Sequence, residues 1–452
     1  MNVDFTSKVA IIYPTKDDFV EKAFEKLLNI NYKNADIYIL DDSVEKGYKD
    51  KIDKFNNRCT ILRRWEEKDY HGSKNKAGNI NYFLQKKFDF DFLIILDADS
   101  YIEKDFVENC LKYFHTFNDI GILQAIEKPV EIKNLFQSFI NTSHSSDVFY
   151  NGISYFSSNI FGQPLFYGHI AMIKRNTLEE CGFSFPNLVG EDHAFSLEAI
   201  FKGYKICYAP NIICGCEEPP NLIAQRTKII KFVGGDYEVM KKYWGKILKT
   251  DKLSFIKKIE FLSQKFMVSV FPLITLIFTF FLFGSRFFGS RYLYHFYSNF
   301  FELNTNLNFL NLLLGVFILF SGFLYFILIP LFQSINLKTF FLGILSNMFL
   351  LLVTCSYIFL LAWRCIKCIF GAKAKFCRTP KEQTKISFVE ALKLNLSIVL
   401  TSLILLIIYV FLMIFSKIFF FDFFISFIIF AGLLSPFITI LSNVILPEKT
   451  KK

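Results

Sequence analysis

Apolar and charged residues alternate in short blocks over 1–250 and give way to long apolar runs over 255–446, so the chain divides into two parts of different character. In the first part, Lys8 to Tyr13 reads as an apolar strand ending at Pro14-Thr15, and Asp17 to Ile30 carries apolar residues at helical spacing. Asp36 to Leu40 is a second strand, closed by Asp41-Asp42-Ser43; a polar helix follows, and Cys59 to Arg63 is a third strand. After the segment His71 to Lys87, the run Phe92-Leu93-Ile94-Ile95-Leu96 predicts a strand buried on both faces. It stops abruptly at Asp97-Ala98-Asp99. Strand and helix alternate, which predicts an α/β domain with an open, mostly parallel sheet. From Leu222 to Leu248 the spacing is helical again, with Ile229, Phe232, Val233, Met240, Tyr243 and Trp244 on one broad face. Lysines at 241, 242, 246 and 249 border that face, a pattern that suits a membrane interface.

A membrane-spanning helix needs about 20 apolar residues. The stretches 264–283, 309–332, 393–415 and 419–445 reach that length, and so does 339–363. Arg364, Lys367, Lys373, Lys375, Arg378, Lys381 and Lys385 follow the 339–363 stretch, and Lys449, Lys451 and Lys452 end the chain. Basic loops favour the cytoplasmic side. Both clusters lie inside if four stretches cross and 339–363 is interfacial or re-entrant. The expected organisation is a domain over 1–250, ending in an amphipathic interface helix, then an all-α transmembrane domain over 251–452 with a basic loop at 364–390. The N-terminus opens directly into a strand without a signal peptide, so the first domain is expected in the cytoplasm, at a multi-pass cell (plasma) membrane protein.

A formal charge of +10 suits either nucleic acid or an anionic membrane face. With spanning segments present, the membrane accounts for it and no nucleic-acid partner is expected. The 10 cysteines are expected to be reduced. Cys365-x-x-Cys368 and Cys214-x-Cys216 have no histidine or second cysteine pair at usable spacing, which argues against zinc.

Candidate chemistry gathers where the strands end. Asp97 and Asp99 sit two positions apart on extended chain and point the same way. Two converging carboxylates suit a hard divalent cation shared with phosphate oxygens. Lys76-Ala77-Gly78-Asn79 offers an ammonium and free backbone N–H groups at a helix start, which suits a diphosphate. Pro14-Thr15, Asp41-Asp42 and Asp97-Asp99 all fall at the carboxyl ends of strands, where ligands of such sheets bind.

Lys76-Ala77-Gly78-Asn79 together with Leu96-Asp97-Ala98-Asp99 resembles the family 2 glycosyltransferases, in particular the cellulose-synthase-like membrane enzymes. The resemblance implies a GT-A fold of the nucleotide-diphospho-sugar transferases and a UDP-sugar donor. Through Tyr13-Pro14-Thr15-Lys16-Asp17-Asp18 it implies that Thr15 and Asp18 line the nucleotide pocket and that Asp41 contacts uracil. By the same resemblance Lys76 holds the diphosphate, and Asp97 and Asp99 hold Mg²⁺ or Mn²⁺. Phe166-Tyr167-Gly168-His169 is similar to the family's acceptor turn, with His169 in place of a small hydroxyl residue. Gly190-Glu191-Asp192 is similar to its Thr-Glu-Asp motif; this implies that Asp192 is the general base and that Glu191, Gly168 and His169 face the acceptor. The family's Gln-x-x-Arg-Trp is matched in a weakened form by Lys228-x-x-Lys231-Phe232, so Lys231 is expected at the donor and Phe232 between donor and acceptor. Phe376, Arg378, Thr379 and Lys381 resemble a gating loop that closes over the donor.

The implied activity is inverting transfer from a UDP-sugar to a growing polysaccharide, coupled to secretion. The alternative is non-processive transfer of one sugar to a lipid-linked or oligosaccharide acceptor. Expected partners are the UDP-sugar, a saccharide or lipid-linked acceptor, the lipid bilayer, and either a second copy of the chain or an accessory export protein. A transporter or scaffold would place charges inside the spans, and these are nearly absent.

Overall fold

The computed structural model describes residues 6–67, 73, 75–141, 164–259, 261, 272–277, 279, 337–374, 385–413 and 420–446. Seven strands form one sheet: β1 (Val9–Thr15), β2 (Ala35–Asp41), β3 (Thr60–Leu62), β4 (Phe92–Ile95), β5 (Ile120–Val130), β6 (Ala171–Lys174) and β7 (Lys205–Glu217). Their order is β3-β2-β1-β4-β6-β5-β7. All neighbours pair in parallel except β6, which is antiparallel to both β4 and β5. The expected α/β class and mostly parallel sheet are observed.

Each buried strand feeds two cores, because successive side chains point to opposite faces. Ile12, Leu40 and Ile95 join one core with α3 (Lys76–Gln85) and α6 (Glu191–Phe201), while Ile11, Ile39 and Ile94 join the other with α1 (Glu21–Leu27) and α4 (Phe106–Thr116). Two further short helices of this region are α2 (Lys46–Asp53) and α5 (Arg175–Glu180). The antiparallel β6 has a positional consequence. Ala171 pairs with Ile95, so the turn that leads into β6 lies beside the carboxyl end of β4. Thr15 pairs with Asp41 at the same edge.

Helix α7 (Leu222–Lys249) spans the expected residues but is not a free interface helix. Val239, Tyr243 and Ile247 are buried in the sheet core with α6. Leu222 and Val233 pack with Val353, Tyr357 and Leu361 from the helices further along the chain. Protein therefore covers most of its apolar face, and Phe232, Trp244 and Leu248 are the large apolar side chains it leaves open. An apolar stripe shows that something covers it, without showing whether lipid or protein does.

The later helices are α8 (Leu337–Ser356), α9 (Ile358–Ile369), α10 (Phe388–Leu394), α11 (Leu396–Met413), α12 (Phe420–Leu433) and α13 (Ser435–Ile440). Among the described residues no single helix is long and apolar enough to cross a membrane, but three bent pairs pass by length and composition. The bends are 49° between α8 and α9, 74° between α10 and α11, and 51° between α12 and α13. The stretches 393–415 and 419–445, expected to be continuous, are thus broken, and 339–363 is broken as well. At the second break the Asn395 amide donates to Ala391 O at 2.8 Å and to Thr439 Oγ1 at 2.9 Å. At the third, Pro436 in the first turn of α13 has no N–H to continue the preceding helix. The stretch 309–332 and most of 264–283 lie outside the described residues.

Candidate active site

The Asp97–Ser100 turn is fixed from three directions. The Tyr13 hydroxyl donates to Ala98 O, the Asp97 N–H donates to Ser100 Oγ at 3.0 Å, and the Ser100 N–H donates to Asp97 O at 3.0 Å. Burial first, then Asp99, Asp18, Tyr101 and Asp97, push the Tyr13 phenol well up. Asp18 is held by the Thr15 hydroxyl and the Lys16 N–H, each at 2.8 Å. The Asp97 side chain is 40% exposed and Asp99 is buried, so the former faces the open edge and the latter lies beneath it. Asp97 and Asp99 offer carboxylate oxygens, the hard donor type that Mg²⁺ or Mn²⁺ prefers.

Lys76 is the first residue of α3, whose N-terminus is capped by Asn75 Oδ1, accepting from the Gly78 N–H at 3.0 Å. Its ammonium pairs with Asp97 and donates to Gly168 O at 2.8 Å. Burial works against the charge but is outweighed by Asp97, Glu191 and Asp192, so its pKa is raised. Lys76 therefore stays an ammonium between Asp97 and the Gly168 carbonyl.

Gly168 adopts φ +85°, and a Cβ built there would meet Asp192 Oδ2 at 2.8 Å. Only a glycine lets the turn lie this close to the carboxylate. Asp192 Oδ1 accepts from the His193 N–H at 2.8 Å. Ser196 Oγ links the same helix start to the Phe166 N–H at 2.9 Å. Gly190 and Gly235 cross closely: a Cβ on Gly235 would meet Gly190 N at 3.0 Å, and His193 Nδ1 lies 3.1 Å from Asp236 Oδ1 across the same crossing. Helix α7 thereby fixes the start of α6.

Glu191 lies deeper than Asp192. Burial first, then the Asp192 charge, push its carboxyl up to about 8, with Lys76 and Lys231 opposing. Folding raises this pKa from the ordinary 4.5, so between those two values the folded chain holds a proton the unfolded chain has lost. Stability contributed by Glu191 therefore falls as pH rises through that window. Glu191→Gln, which mimics the protonated form, is expected to raise Tm over the parent at about pH 8.5 and to lose that advantage near about pH 5, as thermal unfolding across pH would show. A pH-independent difference would contradict the assignment.

Lys231 approaches from α7; burial lowers its pKa while Asp97 opposes that effect, and Lys76 and Glu191 are further charges in its surroundings. Phe232 is 44% exposed, and the ammonium groups of Lys231 and Lys228 lie 5.4 and 6.0 Å from its ring centre. His169 sits next to Gly168, with Nε2 3.7 Å from Glu127 and Nδ1 3.9 Å from Cys216. The structure thus brings Lys76, Asp97, Gly168, Glu191, Asp192 and Lys231 together. It places Asp41 differently. Arg63 at 2.7 Å and the Ser43 N–H at 2.8 Å engage its two carboxylate oxygens, and its side chain is fully covered. Phe376, Arg378, Thr379 and Lys381 lie outside the described residues. Ala374, just before them, donates its N–H to Glu238 at 2.7 Å, and Glu238 also accepts from the Val189 N–H at 3.3 Å.

Arg64 was not anticipated. It is fully buried, pairs with both oxygens of Asp42, and donates to Ser73 O at 2.6 Å and Asn75 O at 3.2 Å. The doublet Asp41-Asp42 facing the doublet Arg63-Arg64 was the available signal, since β2 and β3 are adjacent and parallel.

A family model for glycosyl transferase family group 2 matches residues 92–436, and the chain belongs to that family. Among curated proteins, it is 30% identical over 195 residues to a UDP-forming cellulose synthase catalytic subunit of Dictyostelium discoideum, covering 42% of this chain and 18% of that one. It is 23% identical to glucans biosynthesis glucosyltransferase H of Rhodopseudomonas palustris, covering 57% and 38% respectively. It is 21% identical to poly-beta-1,6-N-acetyl-D-glucosamine synthase of Staphylococcus aureus, covering 56% and 60%. The chain thus spans less than two thirds of the length of each of these relatives. Among solved structures, a mannosyltransferase from Pyrobaculum calidifontis in complex with GDP-Man and Mn²⁺ aligns with a TM-score of 0.45 at 18% identity, covering 58% of this chain and 71% of that one.

Proposed function

We propose that the chain transfers a sugar with inversion from a UDP-sugar to a growing saccharide at a membrane surface. The observation that carries this reading is the Lys76 ammonium, which bridges Asp97 and the Gly168 carbonyl while Asp192 lies against the other side of the same glycine. A group to receive the leaving diphosphate and a group to receive the acceptor proton then both lie against Gly168. In the reaction the acceptor oxygen bonds to the anomeric carbon, the bond from that carbon to the phosphate oxygen breaks, and UDP leaves with the electron pair. The hydroxyl proton goes to Asp192. Lys76, with Lys231 beside it, meets the charge that develops on the diphosphate. Asp97 and Asp99 would hold Mg²⁺ or Mn²⁺, which supplies further charge neutralisation on the leaving group. Phe232 offers an open ring at the acceptor side, suited to lie against a sugar.

The three bent helix pairs support a membrane-embedded reading. On α11, Leu396, Leu400, Leu403, Ile404, Ile407 and Phe411 are all exposed, a surface that suits lipid. A multi-pass cell-membrane location with the sheet domain in the cytoplasm, a homodimer or export partner, and a lid formed by the segment after Ala374 all belong to this proposal.

Membranes containing the full chain, incubated with a panel of radiolabelled UDP-sugars, test it. A ladder of polymer from one donor is the expected result, whereas a single extractable lipid product indicates one-step transfer. Incorporation from none of the donors contradicts the transferase reading. Thorough chelation of divalent ions is expected to abolish incorporation, with Mg²⁺ or Mn²⁺ restoring it, and to leave an Asp97→Asn chain beyond rescue. Undiminished turnover after chelation removes the metal role.

A further inference from the structure

Sequence spacing offers Cys216 no partner for a metal, yet the sheet brings it two. Glu127 projects from β5, Cys216 from the adjacent parallel strand β7, and His169 from the turn that enters β6. One ligand atom from each of the three lies within 4.8 Å of the others. His169 Nε2 lies 3.7 Å from Glu127 Oε2, and the other ring nitrogen, Nδ1, lies 3.9 Å from Cys216 Sγ. Zinc bonds of about 2.0–2.3 Å in tetrahedral geometry separate neighbouring ligand atoms by roughly 3.5 Å. With one nitrogen of His169 as the ligand the three atoms lie within 4.8 Å of one another, so side-chain shifts of about 1 Å would bring them to coordination spacing.

We propose that Glu127, His169 and Cys216 form a binding site for a thiophilic divalent cation of the Zn²⁺ class, separate from the aspartate pair. The donor set distinguishes the two. Sulfur and imidazole select a borderline-soft ion, whereas Asp97 and Asp99 present oxygen alone. Cys216 is buried, His169 is mostly covered and the Glu127 side chain is about half exposed, so an ion has a path in from the surface. Three protein ligands leave a fourth position for water or a substrate atom. Lys228 carries the competing positive charge here, with Glu127, Glu218, Asp99 and Cys216 in its surroundings. Displacing an ammonium from such a cluster favours an ion that bonds strongly to a thiolate over Mg²⁺. An ion at this site would sit one residue from Gly168, whose carbonyl holds Lys76.

Co²⁺ is the probe, added to the chelator-treated, purified full chain. One equivalent is expected to bind with a thiolate-to-cobalt charge-transfer band in the near ultraviolet, and Zn²⁺ should displace it. Cys216→Ser should remove the band and weaken Zn²⁺ binding by at least the roughly 10–100-fold typical of losing even an outer partner of a metal ligand. Glu127→Gln, at a half-exposed position where folding is not at stake, should weaken Zn²⁺ binding by a similar factor, and Asp97→Asn should change neither. Co²⁺ binding without a thiolate band overturns the proposal, as does wild-type affinity in the Glu127→Gln chain. Loss of the site in Asp97→Asn instead would assign the ion to the aspartates.

Discussion

Asp192→Asn is expected to lower the turnover of sugar transfer by about 10²–10⁴-fold, the range that general-base catalysis contributes, with little change in affinity for UDP. The substitution is nearly isosteric. An asparagine oxygen can still accept the His193 N–H and the side chain can still lie against Gly168, so the turn keeps its shape while the ability to take up a proton is lost. Glu191, adjacent in sequence, is the competing candidate, and the structure separates the two. Burial pushes the Glu191 carboxyl up to about 8, whereas Asp192 is partly open and lies against Gly168. Two neighbouring carboxyl groups in unlike surroundings commonly divide the roles in this way. Single-turnover transfer assays, with UDP binding measured in parallel, check the prediction. Full turnover in the Asp192→Asn chain would transfer the base assignment elsewhere.

The sheet was legible because its strands are short apolar runs that end at chemically distinct residues. Phe92 to Leu96 could hardly be anything but buried strand, and β4 with Asp97 just past its end lies where the pattern places it. The helix start at Lys76 was legible for a similar reason, since a lysine before small residues follows a capping Asn75. Features that depend on what lies opposite were hidden. The stripe on Leu222–Lys249 reads identically whether lipid or protein covers it; the structure covers it with α6 on one half and with Tyr357 and Leu361 on the other. The bend at Asn395 was invisible because one amide in an apolar run changes hydropathy little, although this residue sits at the break and bonds Thr439. The protonation of Glu191 has no sequence signature, because it arises from burial. Cys216 and His169 are far apart in sequence and meet only through the antiparallel insertion of β6.

Arg64→Met is expected to cost about 3–5 kcal/mol of stability, because it leaves the Asp42 carboxylate buried without its partner. Burial already pushes the Asp42 carboxyl up, with Arg64 opposing. Once Arg64 is gone, Asp42 can escape the penalty only by taking a proton, so the loss should be larger at about pH 8 than at about pH 5. Stability is half of the prediction. The same guanidinium holds the carbonyls of Ser73 and Asn75, which set the start of α3 and hence the position of Lys76. UDP affinity is therefore expected to fall together with Tm. The double variant Arg64→Met/Asp42→Leu separates these effects, since replacing both members of a buried pair by apolar groups of similar size is often nearly neutral. Tm should recover in the double variant while UDP affinity does not, because the guanidinium no longer holds the two carbonyls. Denaturation and UDP titration on the two chains measure both quantities. If affinity returned with stability, Arg64 would be acting only as the counter-charge of Asp42, and the start of α3 would have to be set by its Asn75 cap instead.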